Sequence, residues 1–450
     1  MTIGSKKELI ILFLGDLISL ALAFWLALAV RAFTVPSYFT LSAYAVSLVP
    51  LSILWIFTFF IAGLYEKHAI VFEKKLPGTI LNAQIANSII AVIFFYFFAP
   101  YFSVTPKTVL VLYLVISTAL IVLWRFLGLA FFGIKRQENA ILIGSGEEMR
   151  VLLDEVNANK RYNLKFVSSV DLDHIEGIDI QQEIVSRVYA EGISSVVIDL
   201  KSEKATMILP VLYNLIFSNV RFFDMHKVYE EVFSRAPLSL IGYSWFLENI
   251  SQSAHIGYDS LKKLMDITIG AVIGIVSLAL YPIVIVAIKL EDGGEIFSFQ
   301  KRVGQNNKII NIAKFRTMKI ANDDAAWSKV ENKVTKVGAF LRKTRIDELP
   351  QLWNVLKGDI SLIGPRPEFE RAVKEYSEKI PYYNTRHIIK PGLSGWAQLY
   401  HERHPHHGLD IEETRNKLSY DLYYIKNRSF VLDLEIALKT IRTLLSRTGV

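Results

Sequence analysis

The sequence predicts a membrane protein of three parts: a bundle of four transmembrane helices (residues 1–135), an α/β Rossmann-like domain (136–250) and a mixed α/β domain with a re-entrant membrane helix (256–450). Three observations support this prediction. Hydrophobic residues make up 52% of the 450-residue chain and the mean hydropathy is +0.32, which is uncommon for a soluble protein. Strand and helix patterns alternate in the middle of the chain. A fifth apolar run, further on, contains a proline.

Composition also restricts the chemistry. The sequence has no cysteine, which excludes disulfides, thiolate metal sites and cysteine nucleophiles. The net charge of +7 fits a membrane surface, a nucleic acid or a phosphorylated substrate, and does not choose among them.

Four apolar stretches define the N-terminal bundle, and each has about the 20 residues needed to cross a bilayer. They are residues 8–32, 41–64, 79–101 and 108–133. Loop ends rich in Lys and Arg remain in the cytoplasm. One side carries Lys6, Lys7, Lys67, Lys74, Lys75, Lys135 and Arg136, and the other carries Arg31 and Lys107. We therefore expect both ends of the bundle, and the domains that follow it, to be cytoplasmic.

Two ionisable residues interrupt these apolar helices. Asp16 and Arg125 each lie about eight residues from the cytoplasmic end of a helix, a depth of about 12 Å at 1.5 Å per residue. A charge inside the membrane is a functional candidate by default. The simpler interpretation is an ion pair between Asp16 and Arg125 that stabilises the bundle.

The middle domain shows strands alternating with helices, the pattern of a parallel sheet. Predicted strands are 139–143, 164–170, 194–200 and 220–224, and predicted helices are 147–158, 180–190 and 204–217. The first turn reads Gly144-Ser145-Gly146-Glu147-Glu148-Met149, whereas a dinucleotide fingerprint needs glycine in place of Met149. Its two glutamates would repel a pyrophosphate. We expect a degenerate domain with a structural or regulatory role, and a nucleotide site is the open alternative.

The fifth apolar run, residues 267–288, could span a bilayer by its length. Lys262 precedes it and Lys289 follows it, so both ends resemble cytoplasmic loops. Pro282 would break or kink a helix within the run. These features predict a re-entrant helix over about residues 262–290, which turns back at Pro282. A kinked spanning helix is the alternative.

Positive charge is concentrated just after this run. Residues 301–346 contain twelve Lys or Arg and three Asp or Glu. Lys314 and Arg316 alternate in a predicted strand and so would share one face. Arg342 and Arg345 lead directly into a pair of acidic residues.

The acidic pair is Asp347 and Glu348. Pro350 marks the first turn of a helix, so the two carboxylates should lie at a helix N-terminus, beside cations and backbone N–H groups. Paired carboxylates serve in acid–base catalysis, hold metals or act as nucleophiles.

Two further turns follow the pair. One contains Asp359, and in the other Pro365 and Pro367 fix the backbone on both sides of Arg366, so that its guanidinium can be directed at a phosphate. Spacing alone supports phosphoryl transfer at a membrane surface, with a solvated charged face as the alternative.

Five motifs occur in order along the C-terminal part of the chain. They are Gln300-Lys301-Arg302-Val303-Gly304, Lys314-Phe315-Arg316-Thr317-Met318, Asp347-Glu348-Leu349-Pro350-Gln351-Leu352, Gly364-Pro365-Arg366-Pro367-Glu368 and Lys390-Pro391-Gly392-Leu393-Ser394-Gly395-Trp396-Ala397-Gln398. Over about residues 256–450 the chain resembles the bacterial sugar transferase family, the monotopic polyprenyl-phosphate phosphoglycosyl transferases. The whole chain resembles the long form of that family, in which four helices and a Rossmann-like domain come first.

The resemblance implies transfer of a hexose 1-phosphate from a UDP-sugar to undecaprenyl phosphate, with release of UMP. Asp347 would attack the β-phosphate and form a covalent phosphosugar enzyme, and Glu348 would assist. Mg²⁺ held near these two carboxylates would neutralise the diphosphate. Phosphate-binding residues would be Lys314, Arg316, Arg342 and Arg366, with Arg302, Arg345, Asp359, Pro365 and Pro367 in support.

The resemblance also implies a cellular setting. We expect an enzyme of the bacterial inner membrane that starts the assembly of exopolysaccharide, capsule or O-antigen repeat units and forms a homodimer. A diphosphate substrate accounts for the concentrated positive charge better than nucleic acid does.

The sequence departs from the family pattern in two places. Tyr281 stands where the family usually has Ser before the proline of the re-entrant helix. Residues 401–407 contain four histidines, which we interpret as an exposed loop near the sugar site, with a transition-metal site as the alternative.

Near the C-terminus, a helical stripe suits docking on the membrane surface or packing on the core; it comprises Val431, Leu434, Leu438, Ile441 and Leu445.

Two other functions stay open at this point. One is a catalytically silent membrane scaffold. The other is a membrane-bound nucleotide-sugar dehydratase, because Tyr258 and Lys262 match a Tyr-x-x-x-Lys motif, although the broken glycine fingerprint argues against it.

Overall fold

The computed structural model describes residues 6–65, 76–102, 107–132, 137–160, 162–174, 180–250, 256–319, 334–400 and 410–446. The chain divides into two compact units, Met1–Val232 and Phe233–Val450. Several residues on which predictions rest lie outside the described residues. They are Lys67, Lys74, Lys75, Lys135 and Arg136, which predict orientation, and the histidine-rich loop 401–407.

Four long helices form the N-terminal part of the first unit: α1 (Lys6–Ala32), α2 (Tyr38–Ile61), α3 (Leu76–Phe98) and α4 (Lys107–Phe132). Each begins or contains a span of 21 to 26 residues that is long and apolar enough to cross a membrane, and the span of α3 continues into a 3₁₀ turn at Ala99–Tyr101. Large apolar side chains such as Ile18, Val92 and Val115 are exposed on these helices, as expected for surfaces that face lipid. The chain is therefore a membrane protein, as predicted.

The two intramembrane charges form the predicted ion pair. Asp16 and Arg125 are both buried, and Arg125 Nε donates to Asp16 Oδ1 at 3.2 Å. The Tyr65 hydroxyl donates to Asp16 Oδ2 at 2.7 Å, and Arg125 Nη1 donates to the Leu64 carbonyl at 3.0 Å. The pair thus connects α1 and α4 with the chain just beyond α2.

A four-stranded parallel sheet follows in the same unit. Its strands are β1 (Glu138–Gly144), β2 (Leu164–Asp171), β3 (Ser195–Ile198) and β4 (Arg221–Asp224), in the order β2-β1-β3-β4. The helices are α5 (Gly146–Ala158), α6 (Ile180–Ala190), α7 (Leu209–Leu215) and α8 (Met225–Phe233). Side chains of α6 and α7 pack with β1 and β3 in one apolar core. The predicted alternation of strands and helices is confirmed.

The second unit is mixed α/β. Its elements are α9 (Tyr243–Asn249), α10 (Ile256–Leu278), α11 (Tyr281–Asp292), β5 (Phe297–Val303), β6 (Ile309–Phe315), α12 (Lys336–Thr344), α13 (Gln351–Lys357), β7 (Ser361–Ile363), α14 (Glu370–Lys379), β8 (Gly392–Ser394), α15 (Trp396–Tyr400), α16 (Ile411–Asn427) and α17 (Phe430–Ser446). Strands β5 and β6 form an antiparallel hairpin, and β7 pairs with β8 in parallel. Trp245 of α9 is buried in the main core with Tyr383, Trp396 and Leu422. Residues 236–250 therefore pack with this unit.

Helices α10 and α11 form a bent pair with an angle of 54° between them. Pro282 lies in the first turn of α11, at the break. The Ser277 hydroxyl donates to the Gly274 carbonyl at 2.7 Å, and the Leu280 N–H donates to the Ser277 carbonyl at 2.9 Å. Backbone groups near the break are thus hydrogen-bonded within the chain.

The N-terminal turns of α10 are joined to α17. Tyr258 donates to Asp433 Oδ2 at 2.8 Å and Lys262 donates to the same oxygen at 2.7 Å, while Tyr424 donates to Oδ1 at 2.7 Å. Asp433 is almost fully buried. The structure therefore gives Tyr258 and Lys262 a packing role that explains the Tyr-x-x-x-Lys spacing without dehydratase chemistry.

The predicted C-terminal stripe is divided between core and surface. On α17, Leu438 is buried, and the neighbouring Ile436 belongs to the main core, whereas Val431 and Ile441 are exposed. Packing on the domain core therefore accounts for part of the stripe, and the exposed part stays available for a membrane surface.

Candidate active site

Asp347 and Glu348 lie in a short 3₁₀ turn, Ile346–Glu348, between α12 and α13. Arg345 connects α12 to this turn with φ 58°, in the left-handed region. A residue with a side chain costs free energy there, and such strain concentrates at functional sites. The sharp turn brings both carboxylates to the start of α13, close to where Pro350 predicts them.

Glu348 is the centre of a cationic cluster. Its Oε1 accepts from Lys314 Nζ at 2.9 Å and from Arg366 Nη2 at 3.2 Å, and Arg345 Nη1 lies 4.0 Å away. Burial alone would raise the pKa of Glu348, but Arg366 and Lys314 outweigh it and hold that pKa far below its usual range. Glu348 is therefore a permanent anion that fixes the positions of its cations.

Asp347 has a different environment although it is the adjacent residue. It is buried, and its Oδ1 has no hydrogen-bond partner within the described part of the chain. Burial raises its pKa, Lys314 and Arg342 oppose the rise, and Glu348 adds to it. An unpaired, buried carboxylate oxygen beside several cations is poised to accept an electrophile or a metal.

The predicted cations differ in their partners. Lys314, on β6, and Arg366 both reach Glu348. Arg342 lies near enough to act on the pKa of Asp347, and its Nε donates to Thr317 Oγ1 at 2.9 Å. Arg316 follows β6 and pairs instead with Asp292 at the end of α11. The structure thus brings three of the four predicted phosphate-binding residues to the carboxylate pair.

Close backbone contacts position Arg366. A Cβ on Gly392 would lie 2.1 Å from the Gly364 nitrogen, and one on Gly395 would lie 2.4 Å from the Gly364 oxygen, so glycine is required for this approach. The Gly392 N–H donates to the Pro365 carbonyl at 2.9 Å. The Gly-Pro-Arg-Pro and Lys-Pro-Gly-Leu-Ser-Gly motifs therefore form one folded unit.

Two arginines donate hydrogen bonds to backbone carbonyls of the Gly-Pro-Arg-Pro motif. Arg302 Nη1 donates to the Pro367 carbonyl at 3.2 Å, and its guanidinium stacks on Phe369 at 3.4 Å from the ring centroid. Arg386, which is buried and paired with Asp421 at 2.8 Å, donates to the Arg366 carbonyl at 3.0 Å. Arg302 lies in a predicted motif, whereas sequence reasoning missed Arg386.

Asn354 is a second residue that sequence reasoning missed. Its Oδ1 accepts from the Ala313 N–H at 3.1 Å, and its Nδ2 donates to the Asn311 carbonyl at 2.7 Å and to Asp359 Oδ2 at 3.2 Å. This side chain joins α13 to β6, next to Lys314. Asp359 therefore lies in a supporting position, through Asn354. Asn354 is buried, and no signal in the sequence alone indicates its partners.

Helix α12 is held at its N-terminal end. Thr335 Oγ1 accepts from the Gly338 N–H at 2.9 Å, and Glu291 accepts from the N–H groups of Lys336 and Val337. A Cβ on Gly338 would lie 2.1 Å from the Thr317 carbonyl oxygen, so α12 packs directly on that backbone. This packing sets the position of Arg342 one helical turn later.

The described residues contain no group of three or more His, Cys, Asp or Glu side chains that could hold a metal ion. The free oxygen of Asp347 beside Glu348 nevertheless fits Mg²⁺, which often takes one or two carboxylates and completes its shell with substrate phosphates and water.

The described residues define a class by structure: a membrane protein in which several cations surround a pair of carboxylates. Comparison with known proteins is more specific. The family described as bacterial sugar transferase matches residues 257–447. A UDP-N-acetylgalactosamine-undecaprenyl-phosphate N-acetylgalactosaminephosphotransferase of Aeromonas hydrophila is 37% identical over 261 residues, which cover 53% of this chain and 60% of the relative.

Two shorter relatives are matched over most of their own length. An uncharacterised sugar transferase of Bacillus subtilis is 37% identical over 42% of this chain and 90% of the relative. A UDP-glucose:undecaprenyl-phosphate glucose-1-phosphate transferase of Caulobacter vibrioides is 37% identical over 42% of this chain and 72% of the relative. The chain belongs to the bacterial sugar transferase family.

Proposed function

We propose that this protein transfers a sugar 1-phosphate from a UDP-sugar to undecaprenyl phosphate and releases UMP. The observation that supports it most directly is the contrast between two adjacent carboxylates. Glu348 is paired with cations, whereas Asp347 is buried beside them with a free oxygen. The names of the Aeromonas and Caulobacter relatives contain the same donor and acceptor classes.

The proposed chemistry has two steps. Asp347 attacks the β-phosphorus of the UDP-sugar, the bond between that phosphorus and the bridging oxygen breaks, and UMP leaves with the bond's electrons. A phosphate oxygen of undecaprenyl phosphate then attacks the phosphorus of the enzyme-bound phosphosugar and releases the Asp347 carboxylate. Ping-pong kinetics follow from such a covalent intermediate.

The other site residues would stabilise charge. Lys314, Arg342 and Arg366 would contact the phosphate oxygens, where a cation acts on the charge that moves during transfer. Glu348 would keep Lys314 and Arg366 in place. Mg²⁺, held by Asp347 and Glu348 with phosphate oxygens of the substrate, would supply further charge neutralisation.

We also propose that α10 and α11 form a re-entrant helix, so that the carboxylate site faces the cytoplasmic surface of the bacterial inner membrane. The 54° bend at Pro282 and the hydrogen-bonded break support a chain that turns back. This placement would let one site reach a water-soluble UDP-sugar and a lipid-bound acceptor. A homodimer, and a role at the start of polysaccharide assembly, belong to the same proposal.

The test is UMP release by the full chain in nanodiscs, with a panel of UDP-sugars, undecaprenyl phosphate and Mg²⁺. We expect release with at least one UDP-sugar, and its loss in Asp347→Asn. Asp154→Asn, on the exposed face of α5, is the matched control and should retain activity. Absence of release with every donor would favour a silent scaffold, and release by Asp347→Asn would exclude the covalent mechanism.

A further inference from the structure

An apolar patch lies exposed on the α/β region of the first unit. Tyr189, Tyr213, Ile216 and Phe217 have exposed fractions of 65%, 62%, 53% and 81%. Tyr213 and Phe217 make an edge-to-face ring contact at 6.1 Å. Tyr189, at the end of α6, bonds to Ser218, just after α7, at 2.8 Å, so the two helix ends are adjacent. We call these four residues the aromatic edge.

The sheet topology places the aromatic edge. All four strands are parallel, so they begin at one edge of the sheet. Helices α6 and α7 return the chain to that edge, because β3 starts at Ser195 and β4 at Arg221, a few residues after each helical segment ends. The aromatic edge therefore lies where the strands begin, and not at the opposite edge, where ligands bind in open α/β sheets.

The chain also arrives from the membrane at this edge. The transmembrane helix α4 ends at Phe132 and β1 begins at Glu138. Five intervening residues can span at most about 20 Å, even when fully extended. The edge that carries the exposed aromatic residues is thus tethered within that distance of the end of a membrane helix.

The residue types at the aromatic edge are suited to contact with a lipid surface. Tyr and Phe side chains suit the boundary between headgroups and acyl chains, where an amphipathic surface buries its apolar side. Glu138 and Arg221, at the starts of β1 and β4, pair with each other. Among the described residues, Lys160 and Lys165 are exposed at the same edge, where a cation can attract anionic headgroups, and Glu191 is exposed there as well.

We propose that the aromatic edge docks on the bilayer, so that the α/β region lies on the membrane surface in a fixed orientation. Phe217 and Ile216 insert at the headgroup boundary, and the opposite edge of the sheet faces water. The region then acts as a second membrane contact in addition to the transmembrane helices. This proposal does not depend on the proposed enzymatic activity.

The absence of cysteine makes a direct test possible, because single cysteines can be introduced without removing native ones. Nitroxide labels at Phe217→Cys and Tyr213→Cys report depth through their accessibility to oxygen, which partitions into lipid, and to a water-soluble nickel complex. Met207→Cys is the matched control, because Met207 is also 81% exposed and precedes α7, toward the opposite edge. The full chain is measured in nanodiscs of mixed anionic and neutral lipid.

We expect a several-fold higher ratio of oxygen to nickel accessibility at 217 and 213 than at 207. Equal, water-like ratios at all three positions would overturn the proposal. Protection at 217 from both reagents, with dipolar broadening between labels of two copies, would also overturn it, because a second copy would then cover the edge. Native-like melting of each labelled variant shows that the label has not unfolded the region.

Discussion

Asp347 and Glu348 are adjacent in the sequence, but the pKa values of their carboxyl groups are shifted in opposite directions. Arg366 and Lys314 hold the pKa of Glu348 far below its usual range, whereas burial raises the pKa of Asp347. Pairs of titratable groups whose pKa values are pushed apart are typical of catalytic sites. In the proposed mechanism, Glu348 would hold the cations in place and Asp347 would be the carboxylate that reacts.

The raised pKa of Asp347 predicts the acid limb of the pH–rate profile. Only the ionised carboxylate can attack phosphorus, and this form is lost as the pH falls through a pKa that lies above the ordinary value of 3.8. The acid limb of kcat/KM should therefore lie above pH 3.8. A profile whose acid limb lies at or below pH 3.8 would contradict this assignment, provided that activity returns when the protein is brought back to neutral pH.

Replacing Glu348 tests whether its charge contributes to the raised pKa of Asp347. Glu348→Gln removes an anion that raises the pKa of Asp347 and leaves Lys314 and Arg366 without their partner. We expect lower activity, with the acid limb displaced to lower pH. An unchanged limb would show that Glu348 does not act on the residue that titrates.

At the scale of elements, the site depends on close packing of α12 against the backbone at Thr317. Gly338→Ala should be harmful although alanine favours helices, because its Cβ would lie 2.1 Å from the Thr317 oxygen. Overpacking costs about 1–3 kcal/mol, and a displaced Arg342 should lower kcat by about tenfold or more. Gly274→Ala, with open space around its Cβ, is the control and should be nearly neutral in UMP release and melting.

Local patterns predicted the elements well. The strands expected at 139–143 and 220–224 form at Glu138–Gly144 and Arg221–Asp224, since short buried runs between helices have few alternatives. The break at Pro282 also followed from local chemistry. These features need no knowledge of the tertiary structure.

Tertiary partners could not be predicted in the same way. The sequence predicts Arg316 as a phosphate-binding residue and gives no sign of its pairing with Asp292, which depends on how the end of α11 meets β6. The role of Asn354 likewise appears only when α13 packs beside β6. Trp245 was grouped with the middle domain because nothing local in its sequence shows which core it enters.

On the scale of the whole molecule, the buried Asp16–Arg125 pair connects the first and last helices of the bundle. Removing one partner of a buried pair leaves an unpaired charge and costs about 3–5 kcal/mol. Asp16→Ala and Arg125→Ala should each lower the yield of folded protein in the membrane. The double variant Asp16→Arg with Arg125→Asp should recover part of it, measured by size-exclusion chromatography in detergent. No recovery would indicate that Tyr65 and the Leu64 carbonyl matter more than the pairing itself.

The central claim is that Asp347 becomes covalently linked to the sugar phosphate during transfer. The most direct test is mass spectrometry of the full chain after incubation with the UDP-sugar that supports turnover, in the absence of undecaprenyl phosphate. We expect a mass increase of one sugar phosphate, located on the peptide that contains Asp347 and lost when undecaprenyl phosphate is added. No adduct on an enzyme that turns over normally with acceptor, or an adduct on any other residue, would contradict it.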